Sequence, residues 1–226
     1  VALALVVQHV AAEGPGRLAD WLPAAGVELR VAHPYRGDAL PSALDADALI
    51  VMGGPMGVHD DAAAPWLPAT KALLADAVRR DVPALGVCLG AQLLAVATGG
   101  RVETGGAGPE IGLGHVEVVV GDRLLATGSM PVAQWHYDAV TELPPGATLL
   151  ASGDRYRVQA FRVGQCAWGL QFHVEAGPEL VGEWALAERR DVAAIVEPLA
   201  AADPAIAEVG AQVAQRFASV VLNRPQ

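Results

Sequence analysis

Cys88 stands in "PALGVCLGAQLLA" (83–95), between an apolar run and a run of helical period, with Gly86 and Gly90 two positions away on either side. If 83–87 is a strand, and the segment carrying Leu89, Leu93 and Val96 is a helix, the thiol sits on the turn that joins them. Such a turn requires residues without a β-carbon before and after the nucleophile, because the strand and helix backbones approach closely there. A helix N-terminus also favours the thiolate over the thiol, which suits nucleophilic attack. A lone cysteine in an apolar setting can equally be an inert small hydrophobe. The turn alone leaves both readings open.

Two further segments bear on the choice. In "GLQFHVEAG" (169–177), His173 and Glu175 lie two residues apart at the end of an apolar run, so a strand there would project both to one side. A carboxylate so placed fixes the tautomer and orientation of an imidazole whose other nitrogen faces a thiol. Alone, an H-x-E string is more often a surface pair. In "VMGGPMG" (51–57), two glycines and a proline follow the run "ALIVM". Backbone N–H groups in such a rigid loop can serve a developing oxyanion, although most strings of this kind are plain turns.

The elements that must carry these residues are legible as periodicity. "LALVV" (3–7), "VELRVA" (27–32), "ALIVM" (48–52) and "PALGV" (83–87) are of strand length and alternate with helical segments. Leu18, Trp21, Leu22 and Ala25 form one helical face, and Leu73, Leu74, Ala77 and Val78 another. This is the βαβα pattern of an α/β fold: an open, largely parallel sheet with helices on both faces. From 115 the spacing tightens into "HVEVVV" (115–120), "ATLLAS" (147–152), "VQAFRV" (158–163) and "CAWGLQF" (166–172), which predicts an antiparallel portion in the second half. Beyond Pro178 the period is helical again, and Asp203-Pro204 reads as an N-cap followed by proline at the first helical position. Residues 1–178 are expected to form one domain, with 179–226 a helical extension packed on it.

Composition narrows the class. Hydrophobic residues make up 53% and charged residues 18%, yet no apolar stretch approaches the ~20 residues that span a bilayer. "VALALVV" lacks the basic start and cleavage site of a signal peptide, so it reads as a buried strand and the expected location is cytoplasmic. A formal net charge of −10 disfavours nucleic acid as a partner. Neither Cys88 nor Cys166 has zinc-type spacing, so no metal or other cofactor is expected. Cys166 reads as core, and His9, His33, His59 and His115 as ordinary polar residues.

"MGGPMG", "GVCLGAQLL" and "GLQFHVE", in this order, resemble the class I, or triad, glutamine amidotransferases, and most of all the glutaminase domain of guanosine monophosphate synthetase. The likeness runs on through "EIGLGHVEV" and "AQWHYDAV" over roughly residues 1 to 178. It implies a flavodoxin-like fold in which Cys88 attacks the side-chain amide of glutamine, His173 is base and then acid, and Glu175 orients it. It also implies an oxyanion hole from the N–H groups of Gly54 and Leu89. Substrate contacts would come from Gln92, Gly53, Met56, His136 and Tyr137, with Glu110 a candidate for the rim. Two departures stand out: "HVE" replaces the family's H-P-E, and "HYD" replaces H-G-D, so Tyr137 puts a ring where glycine is usual. With no P-loop string or nucleotide-pyrophosphatase run in the sequence, ammonia would pass to a synthetase subunit on another chain. The alternatives are a free-standing γ-glutamyl hydrolase acting on γ-glutamyl amines or peptides, and a non-catalytic regulatory module. Oligomeric state is not encoded in any of these features.

Overall fold

In the computed structural model, which describes residues 1–224, the four apolar runs of the first half are parallel strands. The chain runs β1 (Ala2–Val7), α1 (Leu18–Ala24), β2 (Val27–Ala32), β3 (Ala48–Val51), α2 (Leu67–Arg79), β4 (Ala84–Val87) and α3 (Leu89–Ala97). Then come β5 (Arg101–Thr104), β6 (Glu110–Val118), β7 (Gly128–His136), β8 (Asp138–Glu142), β9 (Thr148–Ser152), β10 (Ala160–Val163), β11 (Ala167–Leu170), α4 (Pro178–Ala187) and α5 (Val192–Leu222). The main sheet has the order β2-β1-β3-β4-β11-β10-β9-β6-β7, while β5 and β8 form a separate antiparallel ribbon. Pairings from β2 to β11 are parallel and those from β11 to β7 antiparallel.

Alternation along the strands feeds two apolar layers, which is why the strands read as unbroken apolar runs. Val6, Ile50, Leu85 and Leu170 pack on one face with Leu18 and Leu22 of α1 and Val213 and Phe217 of α5. Leu5, Val7, Leu49 and Val51 pack on the other with Leu73 and Leu74 of α2 and Leu93 and Leu94 of α3. Among the described residues, no helix is long and apolar enough to cross a membrane.

Two expectations need correction, and one strand lies where the sequence suggests none. The run 115–120 is displaced: β6 starts at Glu110 and ends at Val118, leaving Val119 and Val120 50% and 44% exposed. Gly112 and Gly114 hid its first half by interrupting the apolar alternation. The strand β7 was not legible because Pro131 and Gly128 break its pattern; it is tolerated because β7 is the sheet's edge, where a missing N–H costs no ladder bond. Asp203-Pro204 starts no helix, since α5 runs through Pro198 and Pro204. Its cap is Asp191, whose side chain accepts from the Ala194 N–H at 3.1 Å. Asp203 instead receives two 2.8 Å bonds from the Arg17 guanidinium, tying α5 to the loop before α1. Burial of Ile206, Val213 and Phe217 along the rest of α5 offsets the bond that each proline removes.

Candidate active site

The carboxyl ends of β1, β3, β4 and β11 meet at one edge of the sheet, where open α/β sheets place their ligands. Cys88 occupies the turn from β4 into α3 with φ 52° and ψ −106°, a region that L-residues seldom adopt. The close approach that called for glycines is real. A β-carbon on Gly86 would lie 2.4 Å from the Gly90 carbonyl oxygen, and one on Gly90 would lie 2.0 Å from that of Val51. The turn is also fastened across the sheet, by the Cys88 N–H donating to the Leu170 carbonyl at 2.8 Å. The thiol lies 3.5 Å from the Trp135 carbonyl and accepts a long contact of 3.9 Å from the Gln171 amide.

His173 and Glu175 do not continue a strand, as the sequence suggested; β11 stops at Leu170, because the chain there leaves the sheet to meet β7. The His173 N–H donates to Ala133 of β7 at 2.9 Å, an isolated bridge that sets the register of the segment. Side-chain pairing survives this irregular backbone: His173 Nδ1 is 2.7 Å from Glu175 Oε1, and both residues are buried. Burial opposes protonation of His173, but the charges of Glu175 and then Cys88 outweigh it and raise the imidazole well above its ordinary value. Its Nε2 has no hydrogen-bond partner among the described residues. Trp184 of α4 roofs the ring at 4.8 Å between centroids and donates its own N–H to the Ala12 carbonyl at 3.0 Å. The Glu175 carbonyl accepts from the Arg17 N–H at 3.0 Å beside Gly16, whose φ of +48° and 2.5 Å clearance leave no room for a side chain.

A cavity of about 170 Å³ opens at this edge, lined by Glu13, Gly54, Pro55, Met56, Cys88, Gln92 and a second wall of Trp135–Asp138 with Glu188. Gly54 packs against the Leu89 side chain, and the Leu89 N–H, at the start of α3, has no intrahelical acceptor. Gly53 does not line the cavity; it lies beneath Glu13 and His173. Gln92 donates its amide to the Asp138 carbonyl at 2.9 Å and to Gln171 at 3.2 Å, which leaves its oxygen for a ligand. His136 has both ring nitrogens engaged, at 2.9 Å from the Asp138 carbonyl and 2.9 Å from Glu110. Burial works against ionisation of Glu110, yet bonds from His136 and Gln159 hold it below the usual carboxylate range. Glu110 therefore holds the rim loop from behind. Tyr137 is 42% exposed at the cavity mouth, its hydroxyl shared between Glu188 and Arg190, so the ring frames the opening rather than filling it.

His9 is more than an ordinary polar residue. It is fully buried at the end of β1, takes a 2.9 Å bond from the Trp66 indole, and is kept neutral by burial, which pushes its pKa down to about 4. Cys166 is buried, as expected of core. Glu13 and Glu188 line the cavity without belonging to any of the sequence motifs, whereas Trp135 and Asp138 stand inside "AQWHYDAV". The one local sign at Glu13 is the turn string "EGPG" (13–16), which stands in the loop between β1 and α1. Among the described residues, no three His, Cys, Asp or Glu side chains converge as metal ligands would.

Burial, with His173 opposing and Glu175 and Glu188 reinforcing, pushes Glu13 up to about 7. A carboxyl raised in this way favours the folded state below its unfolded pKa, and that advantage is lost as pH climbs through about 7. Glu13→Gln should therefore match wild-type stability near pH 5 and exceed it at pH 8 by on the order of 2–3 kcal/mol. Denaturant melts of both proteins at the two pH values test this; a gap that stays constant would refute it.

Residues 18–189 match the family model described as glutamine amidotransferase class-I. The chain is 35% identical over 131 residues to a GMP synthase (glutamine-hydrolyzing) of Bacteroides fragilis, an overlap of 56% of this chain and 24% of that protein. It spans only about that quarter of the first such relatives. It is 32% identical over 163 residues to a GMP synthase (glutamine-hydrolyzing) subunit of Natronomonas pharaonis, covering 70% of this chain and 81% of that one. A crystal structure of a glutamine amido transferase from Methylobacillus flagellatus superposes with a TM-score of 0.90 at 28% identity, covering 100% of this chain and 97% of the other. Matched by the family model over most of its length and by a solved structure over all of it, the chain belongs to the class-I glutamine amidotransferases, a family of glutamine-hydrolysing enzymes.

Proposed function

We propose that this chain hydrolyses the side-chain amide of glutamine through a Cys88 thioester and supplies ammonia to a synthetase subunit on another chain. The observation that carries the reading is a thiol on a strained elbow beside a buried imidazole whose far nitrogen is held by a carboxylate. With His173 charged and Glu175 behind it, a thiolate at Cys88 has its counter-ion in place. The sulfur attacks the amide carbon, and the oxygen takes up negative charge opposite the N–H groups of Gly54 and Leu89. Collapse of that adduct breaks the carbon–nitrogen bond, His173 giving its proton to the departing ammonia. Water, losing a proton to His173, then attacks the γ-glutamyl thioester, releasing glutamate and regenerating the thiolate. A cavity of about 170 Å³ suits an amino-acid-sized substrate. Two free cysteines suit a reducing compartment, in keeping with work in the cytoplasm.

A γ-glutamyl hydrolase is the second reading, favoured by the wall of Trp135, Tyr137 and Glu188 at the cavity mouth, where a leaving group larger than ammonia can rest. Ammonia release from glutamine, measured with and without a synthetase, against amine release from γ-glutamyl amides decides between the two. Stimulation by the synthetase supports the first, and faster turnover of the amides supports the second. No turnover of either, with Cys88 unlabelled by a glutamine-analogue electrophile, would leave a non-catalytic module. Glu175→Gln is expected to lower kcat by ~10²-fold with little change in KM, because it withdraws the charge that orients and stabilises the imidazolium. Steady-state kinetics would show it, and an unchanged kcat would remove Glu175 from the mechanism.

A further inference from the structure

We infer that a second cavity, at the amino edge of the sheet, binds a small organic phosphate, an ester whose dianionic head is held by Arg123, Arg216 and Arg224 while its apolar body lies on Pro83 and Val220. The cavity measures about 670 Å³. Pro83 and Cys166 in its lining stand just before β4 and β11, whereas Cys88 and His173 follow the same two strands at their other ends. Five residues of extended chain put Pro83 roughly 16 Å from Cys88, so the two cavities are separate and the chemistry proposed at Cys88 plays no part in this one. Two distant parts of the chain bring the arginines together. Arg123 comes from the loop between β6 and β7, donates to the Gln165 carbonyl at 2.5 Å and stands 6.0 Å from the Trp168 ring centre. Arg216 of α5 donates to the Leu124 carbonyl at 3.4 Å, and Arg224, just beyond α5, donates to the Arg80 carbonyl at 2.9 Å.

Each of these bonds occupies one N–H of a guanidinium that has five, which leaves donors open to a ligand. Among the described residues none of the three arginines forms an ion pair; Asp122 is engaged by Arg162 and the Trp168 indole, and Asp76 by Arg79 and Arg80. Asp81 is the one acid in the lining, so the cavity is net positive in a chain of net charge −10. Burial and then the Asp81 charge push the Cys166 thiol up, so it adds no negative charge. The dipole at the carboxyl end of α5 accounts for a cation at Arg224 but not for Arg123, which comes from another element. Converging guanidiniums without carboxylates repel one another, and a dianion removes that repulsion through fork-shaped, charge-assisted bonds. A phosphate ester suits three such groups better than a carboxylate does, because its head carries three acceptor oxygens and nearly two charges at neutral pH. The cavity extends well beyond a phosphate group, over Pro83, Val220 and the arginine stems, which is surface for an apolar body.

The test is titration calorimetry on the full chain at fixed ionic strength with three probes: phenyl phosphate, inorganic phosphate and benzyl alcohol. Phenyl phosphate is expected to fill one site with a Kd of about 1 mM or below, inorganic phosphate to bind at least about 10-fold more weakly, and benzyl alcohol not to saturate by about 10 mM. Arg123→Gln and Arg216→Gln should each raise the Kd for phenyl phosphate by about 10-fold or more, as loss of a charged hydrogen bond does. Arg123 is exposed, so its variant keeps the fold and the test stands even where Arg216→Gln melts early. Arg36→Gln, which removes an exposed arginine beyond β2, and Cys88→Ala should bind as wild type does. The inference is overturned by the absence of saturable phenyl phosphate binding below about 10 mM, by an Arg36→Gln loss as large as that of Arg123→Gln, or by binding that disappears in Cys88→Ala. Inorganic phosphate or benzyl alcohol binding as tightly as phenyl phosphate would overturn the assignment of an organic phosphate.

Discussion

Cys88→Ala is expected to lower turnover of glutamine or a γ-glutamyl amide by at least ~10⁴-fold and to abolish labelling by a glutamine-analogue electrophile. The variant loses the atom that forms the thioester, and no neighbour replaces it: Cys166 is buried just before β11, hydrogen-bonded to the Asp81 carbonyl at 3.3 Å and remote from His173. The fold should remain, because alanine keeps the β-carbon and adds nothing to the crowded elbow. Cys88→Gly separates chemistry from strain. With no β-carbon at φ 52°, it should be equally inactive yet more stable than Cys88→Ala by about 1–2 kcal/mol. Ammonia release and thermal melts of the two variants make the comparison, and residual turnover above about 1% of wild type in either would take Cys88 out of the nucleophile's place.

Gly90→Ala should produce the largest loss of stability, about 3 kcal/mol or more, seen as a melting point lower by roughly 6–12 °C. The added β-carbon would fall 2.0 Å from the Val51 carbonyl oxygen and 2.7 Å from its carbon, atoms of a central strand that cannot rotate aside. Relief requires α3 to move off β3, which carries the Gly53-Gly54 loop away from Cys88, so activity should fall with stability. Gly106→Ala is the control: a β-carbon there meets nothing within 4 Å, and its melt should stay within the scatter of surface substitutions, about 0.5 kcal/mol. A Gly90→Ala protein that melts with wild type would show that the elbow is looser than its spacing implies.

The C-terminal helices illustrate how local signals fail where distant contacts win. Asp203-Pro204 has the chemistry of a helix start, and in isolation it would make one. Arg17, 186 positions away in sequence, claims that carboxylate, while burial of Ile206, Val213 and Phe217 holds the helix straight through the proline. In the same way β7 carries an unpromising sequence and exists because β6 pairs with it from Glu110–His136 to Val118–Gly128.

What the sequence determined by itself was whatever depends on near neighbours along the chain. The parallel strands followed from apolar runs. The Cys88 elbow followed from two glycines at fixed offsets, since the approach at Gly86 is between β4 and the α3 that follows it, although the approach of Gly90 to Val51 of β3 is a tertiary one. His173 and Glu175 were also legible, being two residues apart, although the strand meant to align them ends before they begin. Tertiary structure alone decided which side chains surround them. Trp184 over the imidazole, Glu13 above Gly53 and Glu110 behind His136 come from separate parts of the chain and meet only once the sheet has formed. No periodicity records such meetings, because their register is set by the packing of whole elements against one another and not by the residues that touch.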